Sequence, residues 1–268
     1  MSGSKSRFDW YAATFEDMNL YAVPHALSSV LGGSVTEGRG RNGYRKQLTL
    51  DRDEKVLARV LGESKRVGEV HVVTTSEACD EVVPLLRHWW PDHRVSRCDV
   101  AIDVRADFEV LDARSVAFAE RKGLSHRLFT DNLGGATRYL GSASSEVMVR
   151  VYKKSEELRK RHPESASEIP DGIVRAECVV RPNTRMKGVV AKMEPDECWG
   201  LSEWSRGFAA GFFELEAERV PTHFREASDW AKALHWVAQQ YGPAMKRRAQ
   251  LVGMEQAREE LLAAMVGE

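Results

Sequence analysis

A tyrosine surrounded by cations is the side chain of this sequence best suited to nucleophilic chemistry. Tyr152 lies between Arg150 and Lys154, and Lys153 follows it directly. The segment 149–154 alternates apolar and polar residues, which predicts a half-buried strand whose polar face carries the tyrosine and its flanking cations. A phenol with a pKa of about 10 needs a base, a metal ion or nearby cations before it becomes a useful nucleophile. We therefore expect the cations to lower the pKa of Tyr152 and to bind a phosphate.

Carboxylates occupy the polar faces of other predicted strands. Asp99 and Asp103 share the polar face of the segment 96–105. Glu177 lies on the polar face of a later strand, and Asp9 on that of the first strand. If these strands adjoin, the carboxylates converge beside the tyrosine, and carboxylate oxygens are the ligands that Mg²⁺ prefers. The pattern indicates either a metal-assisted site for phosphoryl transfer or a sheet whose solvated face carries cross-strand ion pairs.

A glycine-rich basic segment over 38–46 offers a second place for an anionic partner. It contains Arg39, Arg41 and Arg45, and Tyr44 supplies a ring on which a base could stack. No Gly-Lys pair followed by serine or threonine closes it, so it is not a Walker loop. The segment is either a DNA-contacting loop or a hairpin tip kept soluble by arginine. Further candidate DNA contacts on or beside the polar strand faces are Lys153, Arg175 and Arg181.

The composition is that of an ordinary globular protein. Of 268 residues, 43% are hydrophobic and 29% are charged, and the formal net charge is -1, so nucleic-acid binding would depend on local basic patches. The four cysteines show no CxxC spacing, which counts against a structural zinc site and a disulfide framework. No signal peptide follows the polar N-terminus, and no segment reaches the roughly 20 apolar residues of a membrane helix. We expect a cytoplasmic protein.

The order of the patterned segments predicts an α+β fold, with a mainly antiparallel sheet, flanking helices and a helical C-terminal part. We expect one domain over 1–190 and a helical region over 191–268, and no internal repeat is visible. On the first strand, Phe8 and Trp10 are predicted on one face and Asp9 on the other. Strands are predicted at 8–15, 44–50, 69–75, 96–105, 136–141, 149–154 and 173–181. Helices are predicted at 16–31, 52–62, 76–90 with Ser76 as N-cap, 112–122, 155–160, 226–240 and 243–265.

Three blocks of the sequence resemble the replication initiation factor family, the rolling-circle initiators of small plasmids, certain phages and integrative elements. The block at 96–104 reads SRCDVAIDV, the one at 137–157 reads TRYLGSASSEVMVRVYKKSEE, and the one at 174–181 reads VRAECVVR. They are similar, in order and spacing, to the family's RxDxAxD strand, its YxG…RxYxK hairpin strand and its RxExxxR strand. The resemblance covers roughly residues 8–185.

The histidine pair of many related nicking enzymes is absent from this sequence. Those enzymes use a His-hydrophobic-His motif to bind a metal ion, whereas Val73 stands two positions after His71 here. A lone histidine on a strand is expected to be a hydrogen-bonded structural residue. The resemblance therefore implies a Rep-like nicking domain whose metal ligands are not this pair.

The resemblance implies that the tyrosine forms a covalent bond with DNA. Tyr152 would attack one strand of origin DNA, become linked to its 5′ phosphate and leave a free 3′ hydroxyl, and the strand would later be rejoined. Lys154 would contact the scissile phosphate or stabilise the phenolate, with Arg150 beside it. This sequence departs from most relatives at Lys153, where they have an acidic or amide residue.

The resemblance also implies a metal ion and partners. Asp99, Asp103 and Glu177, joined by Asp9, would hold Mg²⁺ or Mn²⁺. The expected partner is origin DNA, single-stranded or extruded as a hairpin at the nick site. Members of the family often act as homodimers and load a host helicase, and the helical region over 191–268 would suit DNA specificity or either of these contacts.

Two other functions are compatible with the same residues. A conjugative relaxase would use the same chemistry at the transfer origin of an integrative element. A DNA-binding protein that keeps the scaffold but does not cleave would bind DNA with strong salt dependence and would form no covalent adduct.

Overall fold

The computed structural model describes residues 6–220, 237 and 241–266, and the chain divides into two units, 1–220 and 221–268. The first unit has the predicted α+β fold, with helices flanking a sheet of ten strands in which all neighbouring strands are antiparallel. The strands are β1 (Arg7–Phe15), β2 (Ser34–Arg39), β3 (Lys46–Arg52), β4 (Lys55–Gly62), β5 (Val70–Thr75), β6 (Arg94–Arg105), β7 (His126–Thr130), β8 (Ala136–Leu140), β9 (Val147–Lys153) and β10 (Ile173–Val180). Their order in the sheet is β2-β3-β4-β5-β1-β6-β10-β9-β8-β7.

The α-helices of the first unit connect the strands or follow the last of them. They are α1 (Ala22–Leu31), α2 (Ala78–Trp89), α3 (Phe108–Arg121), α4 (Lys154–Arg161), α5 (Lys187–Val190), α6 (Pro195–Cys198) and α7 (Glu203–Phe213). In the second unit, a helical segment over 241–252 precedes α8 (Met254–Val266). The helix predicted at 226–240 lies, except for residue 237, outside the described residues. None of the helices in the described part of the chain is long and apolar enough to cross a membrane.

The strand order contains a repeat that the sequence does not reveal. In residues 7–75, here called the first half, β1 pairs with β5, and β4, β3 and β2 follow outward. In residues 94–180, the second half, β6 pairs with β10, and β9, β8 and β7 follow outward. One helix connects the first and second strands of each half, α1 in the first and α3 in the second. The two halves join through β1 and β6, which pair at the centre of the sheet.

Alternation of side chains gives the sheet two different faces. One face is apolar and packs against α1, α2, α3 and α7, which together enclose the hydrophobic core. Leu48, Val60, Val72, Val100 and Val149 represent this face on five of the strands. The opposite face, here called the open face, carries the polar residues of the pattern, as expected for an antiparallel sheet covered on one side. Every predicted catalytic side chain on a strand belongs to the open face.

A bulge in β1 corrects the predicted faces of the first strand. Phe8 pairs with Val100 and Trp10 pairs with Asp99, so Asp9 is the extra residue between them. A bulge places two neighbouring residues opposite one partner and disturbs the alternation. As a result, Asp9 and Trp10 both line the same cleft on the open face, whereas they were predicted on opposite faces.

Two further predictions of local structure were wrong. The charged segment predicted as a helix at 52–62 forms β4, because Asp53 and Glu54 both have positive φ, at 50° and 64°, and close a tight hairpin between β3 and β4. Ser76 does not cap α2. Its backbone adopts a φ of 56°, its N–H donates to the carbonyl of Asp9 at 2.7 Å, and the helix begins after Glu77. β2 and β7, the two edge strands, were not predicted.

Candidate active site on the open face of the sheet

Tyr152 and Glu177 form the centre of the candidate site. β9 and β10 pair so that Tyr152 lies opposite Arg175 and Arg150 lies opposite Glu177. The tyrosine side chain reaches diagonally across this register, and its hydroxyl donates to Glu177 Oε1 at 2.5 Å. Arg150 Nε donates to the other oxygen of the same carboxylate. Glu177 is fully buried, so both carboxylate oxygens are held in place by these two partners.

The pKa of Tyr152 contradicts the expectation from the sequence. Burial and then the neighbouring carboxylate of Glu177 raise the pKa of Tyr152 above its ordinary value, and Arg175 opposes this only in part. The flanking cations Arg150 and Lys154 are not among the groups that shift this pKa most, and both are paired with carboxylates. Burial also raises the pKa of Glu177, against the influence of Arg150 and of the tyrosine hydroxyl. The tyrosine is therefore a neutral phenol at rest, already hydrogen-bonded to a group that can accept its proton.

The predicted carboxylates separate into two groups, each organised by one arginine. Arg150 bridges Glu177 and Asp99, and its Nη2 lies 3.2 Å from Asp99 Oδ2. Arg175 bridges the other two: it donates to both oxygens of Asp103 at 2.6 Å and to Asp9 Oδ1 at 2.7 Å.

The separation follows from strand geometry. Asp99 and Asp103 are four residues apart on β6, which is about 13 Å along a strand. The two side chains share a face but cannot reach one common point.

The predicted metal ligands therefore do not fit a divalent ion as they are arranged here. Their oxygens are of the right chemical type, but guanidinium groups already bind them. Within the described residues, no three His, Cys, Asp or Glu side chains are grouped so that they could hold a metal ion. The binding of Mg²⁺ or Mn²⁺ by Asp9, Asp99, Asp103 and Glu177 stays a prediction, and no chemical step below depends on it.

A cleft of about 660 Å³ opens beside the tyrosine on the open face. The second half supplies most of its wall, including Phe129 and Tyr139 from β7 and β8. These two rings contact each other edge to face, with their centroids 5.4 Å apart, and Phe129 is 57% exposed. The first half supplies Trp10 and Arg59. The cleft combines aromatic rings with cations beside the buried tyrosine.

The sheet register explains why the aromatic wall lies so close to the tyrosine. Phe129 pairs with Thr137, Thr137 with Tyr152, Tyr152 with Arg175, and Arg175 with Asp103. These five residues form one row across four adjacent strand pairs, all on the open face. Phe129 was not predicted, because β7 is a short edge strand without clear alternation.

The two lysines after the tyrosine have different surroundings. Lys154 is buried, its ammonium binds Glu157 and lies 5.8 Å from the centre of the Tyr152 ring. Lys153 pairs with Glu109 of α3 at 2.7 Å. Both lysines line the cleft, and Lys154 is the one held against the tyrosine ring.

The basic segment at 38–46 is a hairpin tip between β2 and β3, and it does not line the cleft. Arg39, Arg41 and Arg45 are exposed there. The ring of Tyr44 instead stacks on His71, with centroids 5.9 Å apart, and its hydroxyl donates to Glu69 at 2.9 Å.

His71 has the structural role expected for a lone strand histidine. Its Nδ1 lies 3.1 Å from the Thr14 hydroxyl, and burial lowers its pKa. It does not line the cleft beside Tyr152.

Comparison with solved structures relates this fold to a rolling circle replication initiator protein from Geobacillus stearothermophilus. The two chains are 17% identical, with a TM-score of 0.54, and the match covers 81% of this chain and 100% of that one. At this level of identity the likeness shows a common fold and does not assign residue roles. No family model matches this chain, and no curated protein matches its sequence.

Proposed function

We propose that this protein is a rolling-circle replication initiator that nicks one strand of DNA with Tyr152 as the nucleophile. The observation that carries the proposal is the hydrogen bond from the Tyr152 hydroxyl to the buried carboxylate of Glu177, at the wall of a cleft lined by cations and aromatic rings. A nucleophile bound to its base is the arrangement that covalent catalysis requires. The likeness in fold to a rolling-circle initiator supports the same class of protein.

The chemistry follows from the pairing of the phenol with the carboxylate. Tyr152 Oη attacks the phosphorus of the scissile phosphodiester and forms a phosphotyrosine with the 5′ phosphate of the downstream fragment. Its proton passes to Glu177, to which it is already hydrogen-bonded. The bond from phosphorus to the 3′ oxygen breaks, and that oxygen takes a proton from water. In rejoining, the reverse reaction, the 3′ hydroxyl loses its proton to water and attacks the phosphotyrosine. The bond from phosphorus to Tyr152 Oη breaks, and the phenol recovers its proton from Glu177.

Fixed positive charge supplies the stabilisation that phosphoryl transfer needs. Arg150 contacts the base directly, Arg175 lies opposite the tyrosine in the register, and Lys154 lies against its ring. The carboxylates hold both arginines in place before substrate arrives, so little reorganisation is needed when charge develops on the phosphoryl oxygens.

The walls of the cleft favour an unpaired strand as substrate. Phe129 and Tyr139 present aromatic surface, on which the bases of a single strand can stack whatever their sequence. Arg59 and Lys160 also line the cleft and are placed to contact the backbone. A DNA strand that is unpaired at the nick site would present its bases to the aromatic rings and its phosphates to the cations at the same time.

The test is the formation of a covalent protein–DNA adduct. Supercoiled DNA carrying the replication origin of the protein's own replicon is incubated with Mg²⁺ or Mn²⁺, and products are separated under denaturing conditions. We expect an adduct with the wild-type protein and none with Tyr152→Phe. Tyr21→Phe removes the same hydroxyl from an exposed tyrosine that bonds Glu37 and should leave the adduct unchanged.

Each possible result of that assay has a distinct meaning. Equal adduct from Tyr152→Phe would disprove the nucleophile, and no adduct from the wild-type protein under any condition would favour the non-cleaving DNA-binding protein. Reaction only at a transfer origin would assign the same chemistry to a conjugative relaxase. A parallel reaction in EDTA tests the predicted divalent ion: the adduct should disappear and return when Mg²⁺ or Mn²⁺ is added.

A further inference from the structure

Two arginines bind one buried carboxylate beside the candidate active site, and a third arginine lies next to them in the sheet. Asp99 is fully buried. Arg97 donates to both of its oxygens, at 2.8 and 2.5 Å, and Arg150 donates to one of them at 3.2 Å. Arg181 is the third: it directly follows Val180, which pairs with Cys98, so it lies beside Arg97 across the strand pair, and the charges of Arg97, Asp99 and Arg150 affect its pKa.

Arg181 is the member of this cluster that lacks a full set of partners. Its Nη1 is buried and makes no hydrogen bond to any of the residues described. Burial, and then the like charge of Arg97, lower its pKa, and only Asp99 opposes them. A buried polar group without a partner costs free energy, and a buried charge costs more.

The cluster carries more positive than negative charge, which favours the binding of an anion. Among the described residues, the guanidinium groups of Arg97 and Arg150 bind the carboxylates of Asp99 and Glu177, and Arg181 adds a third positive charge beside them. The side chains of Arg97 and Arg150 are 30% and 28% exposed, so an ion from solution can approach. A guanidinium group matches the geometry of phosphate oxygens and can donate two parallel hydrogen bonds to them.

The position of Arg181 relates this cluster to the tyrosine. Arg181 follows Glu177 by four residues and directly succeeds the end of β10, so it continues the open face about 13 Å from the glutamate along the strand. That distance is too long for a group that contacts the scissile phosphate. It is suitable for a phosphate elsewhere on the same DNA strand.

We propose that Arg181, together with Arg97 and Arg150, forms a phosphate-binding site that holds a backbone phosphate flanking the one that is cleaved. This inference rests on the proposed function for the identity of the ligand, whereas the anion site itself depends only on the cluster. A phosphate bound there supplies the missing partner of the buried guanidinium nitrogen and fixes the position of the strand relative to Tyr152.

The first experiment tests the anion site without DNA. Thermal unfolding is followed in inorganic phosphate and in chloride at equal ionic strength. Phosphate should raise the Tm of the wild-type protein, because a ligand that binds the folded state stabilises it, and Arg181→Gln should lose this response. Arg52→Gln is the matched control, since Arg52 of the first half donates to both oxygens of Glu81 in α2 and lies outside the cluster.

The Tm of Arg181→Gln in chloride, without phosphate, shows whether Arg181 binds phosphate or only supports the fold. Removing one of several like charges should leave the Tm of Arg181→Gln in chloride equal to that of the wild-type protein or above it. A lower Tm in chloride together with an unchanged response to phosphate would show that Arg181 is structural and would overturn the proposal.

The second experiment asks whether the anion belongs to DNA. All proteins carry Tyr152→Phe so that no cleavage occurs, and the affinity for a single-stranded oligonucleotide spanning the nick site is measured by fluorescence anisotropy over a range of salt concentrations. Adding Arg181→Gln should reduce the slope of log K against log salt by about 0.7, the value for one phosphate contact on a single strand. Adding Arg52→Gln should not change the slope.

The two experiments distinguish failure of this inference from failure of the proposed function. An unchanged salt slope with a lost phosphate response would limit the site to small anions and overturn its role in DNA binding. A reduced slope in a protein that forms no covalent adduct would keep the phosphate site and reject the nicking activity.

Discussion

The two halves of the sheet have the same strand order but different chemistry. In the second half, β9 carries Arg150 and Tyr152 on the open face, and β10 carries Arg175 and Glu177. In the first half, β5 occupies the position that corresponds to β10, and it carries Val73 and Thr75 on the same face of the sheet. We conclude that the apolar face, which both halves share, determines the fold. The open face is free to vary and determines the chemistry.

The first half still takes part in the site, through the strand at which the halves meet. The bulge in β1 brings both Asp9 and Trp10 to the cleft, and Asp9 is bound by Arg175 of the second half. Arg59 of β4 lines the opposite wall. We interpret the first half as a support that closes the cleft around a reactive centre located in the second.

The largest effect on this comparison is expected from Glu177→Gln, which removes from the second half the carboxylate that is hydrogen-bonded to Tyr152. Loss of a positioned general base typically costs about 10²- to 10⁴-fold in rate, and we expect a decrease of that size in the rate of adduct formation. The rate is measured by quenching the reaction at intervals and separating the adduct on a denaturing gel.

The pH dependence of the same reaction identifies the base. Glu177 acts in its ionised form, and burial raises its pKa. The wild-type rate should therefore rise with pH until Glu177 is fully ionised, and Glu177→Gln should lack this rise. If the variant keeps the same dependence between pH 4 and pH 8, a range that spans the ordinary carboxyl value of about 4.3 and a raised one, another group is the base.

A second, smaller effect is expected on stability. It is tested by comparing substitutions of one arginine in each half. Arg175→Met leaves two carboxylates without their partner, of which Asp9 is 14% exposed and Asp103 is 39% exposed. Breaking a buried ion pair costs about 3–5 kcal/mol, and partial exposure of the aspartates places the expected loss at the lower end of that range. Arg52→Met breaks the more exposed pair between Arg52 of the first half and Glu81 of α2 and should cost far less.

Denaturant unfolding of the two variants checks this comparison. The free energy of unfolding is obtained from the midpoint and slope for each protein. Equal losses for Arg175→Met and Arg52→Met would mean that the ion pairs of the open face do not support the second half.

The smallest expected effect concerns the contribution of the first half to the binding of single-stranded DNA. Arg59→Gln removes one partly exposed cation from the cleft wall and should weaken binding of a single-stranded oligonucleotide by about twofold to fivefold, as for one partly exposed charge contact. Lys55→Gln is the control, because Lys55 lies on the same strand and pairs with Glu77 at 3.8 Å. If the two variants bind alike, the first half does not contact the strand.

Alternating patterns predicted the fold class and most of the sheet. The strands that contain Asp99, Tyr152 and Glu177 lie where the pattern placed them, because each has a continuous apolar face that must be buried. The edge strands β2 and β7 were missed, because an edge strand needs no complete apolar face. The hairpin at Asp53 and Glu54 was missed because its turn depends on positive φ angles, which residues other than glycine rarely adopt.

The sequence allowed us to predict which residues of the candidate site share one face of the sheet. It did not allow us to predict how these residues are arranged relative to one another. Period-two alternation determined that Arg150, Tyr152 and Glu177 share a face once their strands pair. It did not determine the strand order, the bulge at Asp9 or the exposed ring of Phe129, since none of these leaves a periodic signal. The repeated strand order is equally invisible, because the two halves share a pattern of apolar positions and not a sequence.

Alternation along a strand is a local property, so the order of residues was enough to predict which side chains this protein presents on the open face of its sheet. How those side chains affect one another depends on the folded arrangement of the strands. Burial and the neighbouring carboxylate of Glu177 raise the pKa of Tyr152, where the adjacent cations alone had predicted a decrease. Arg150 and Arg175 divide the carboxylates between them, because charge pairing and desolvation depend on distances across strands that are far apart in the chain.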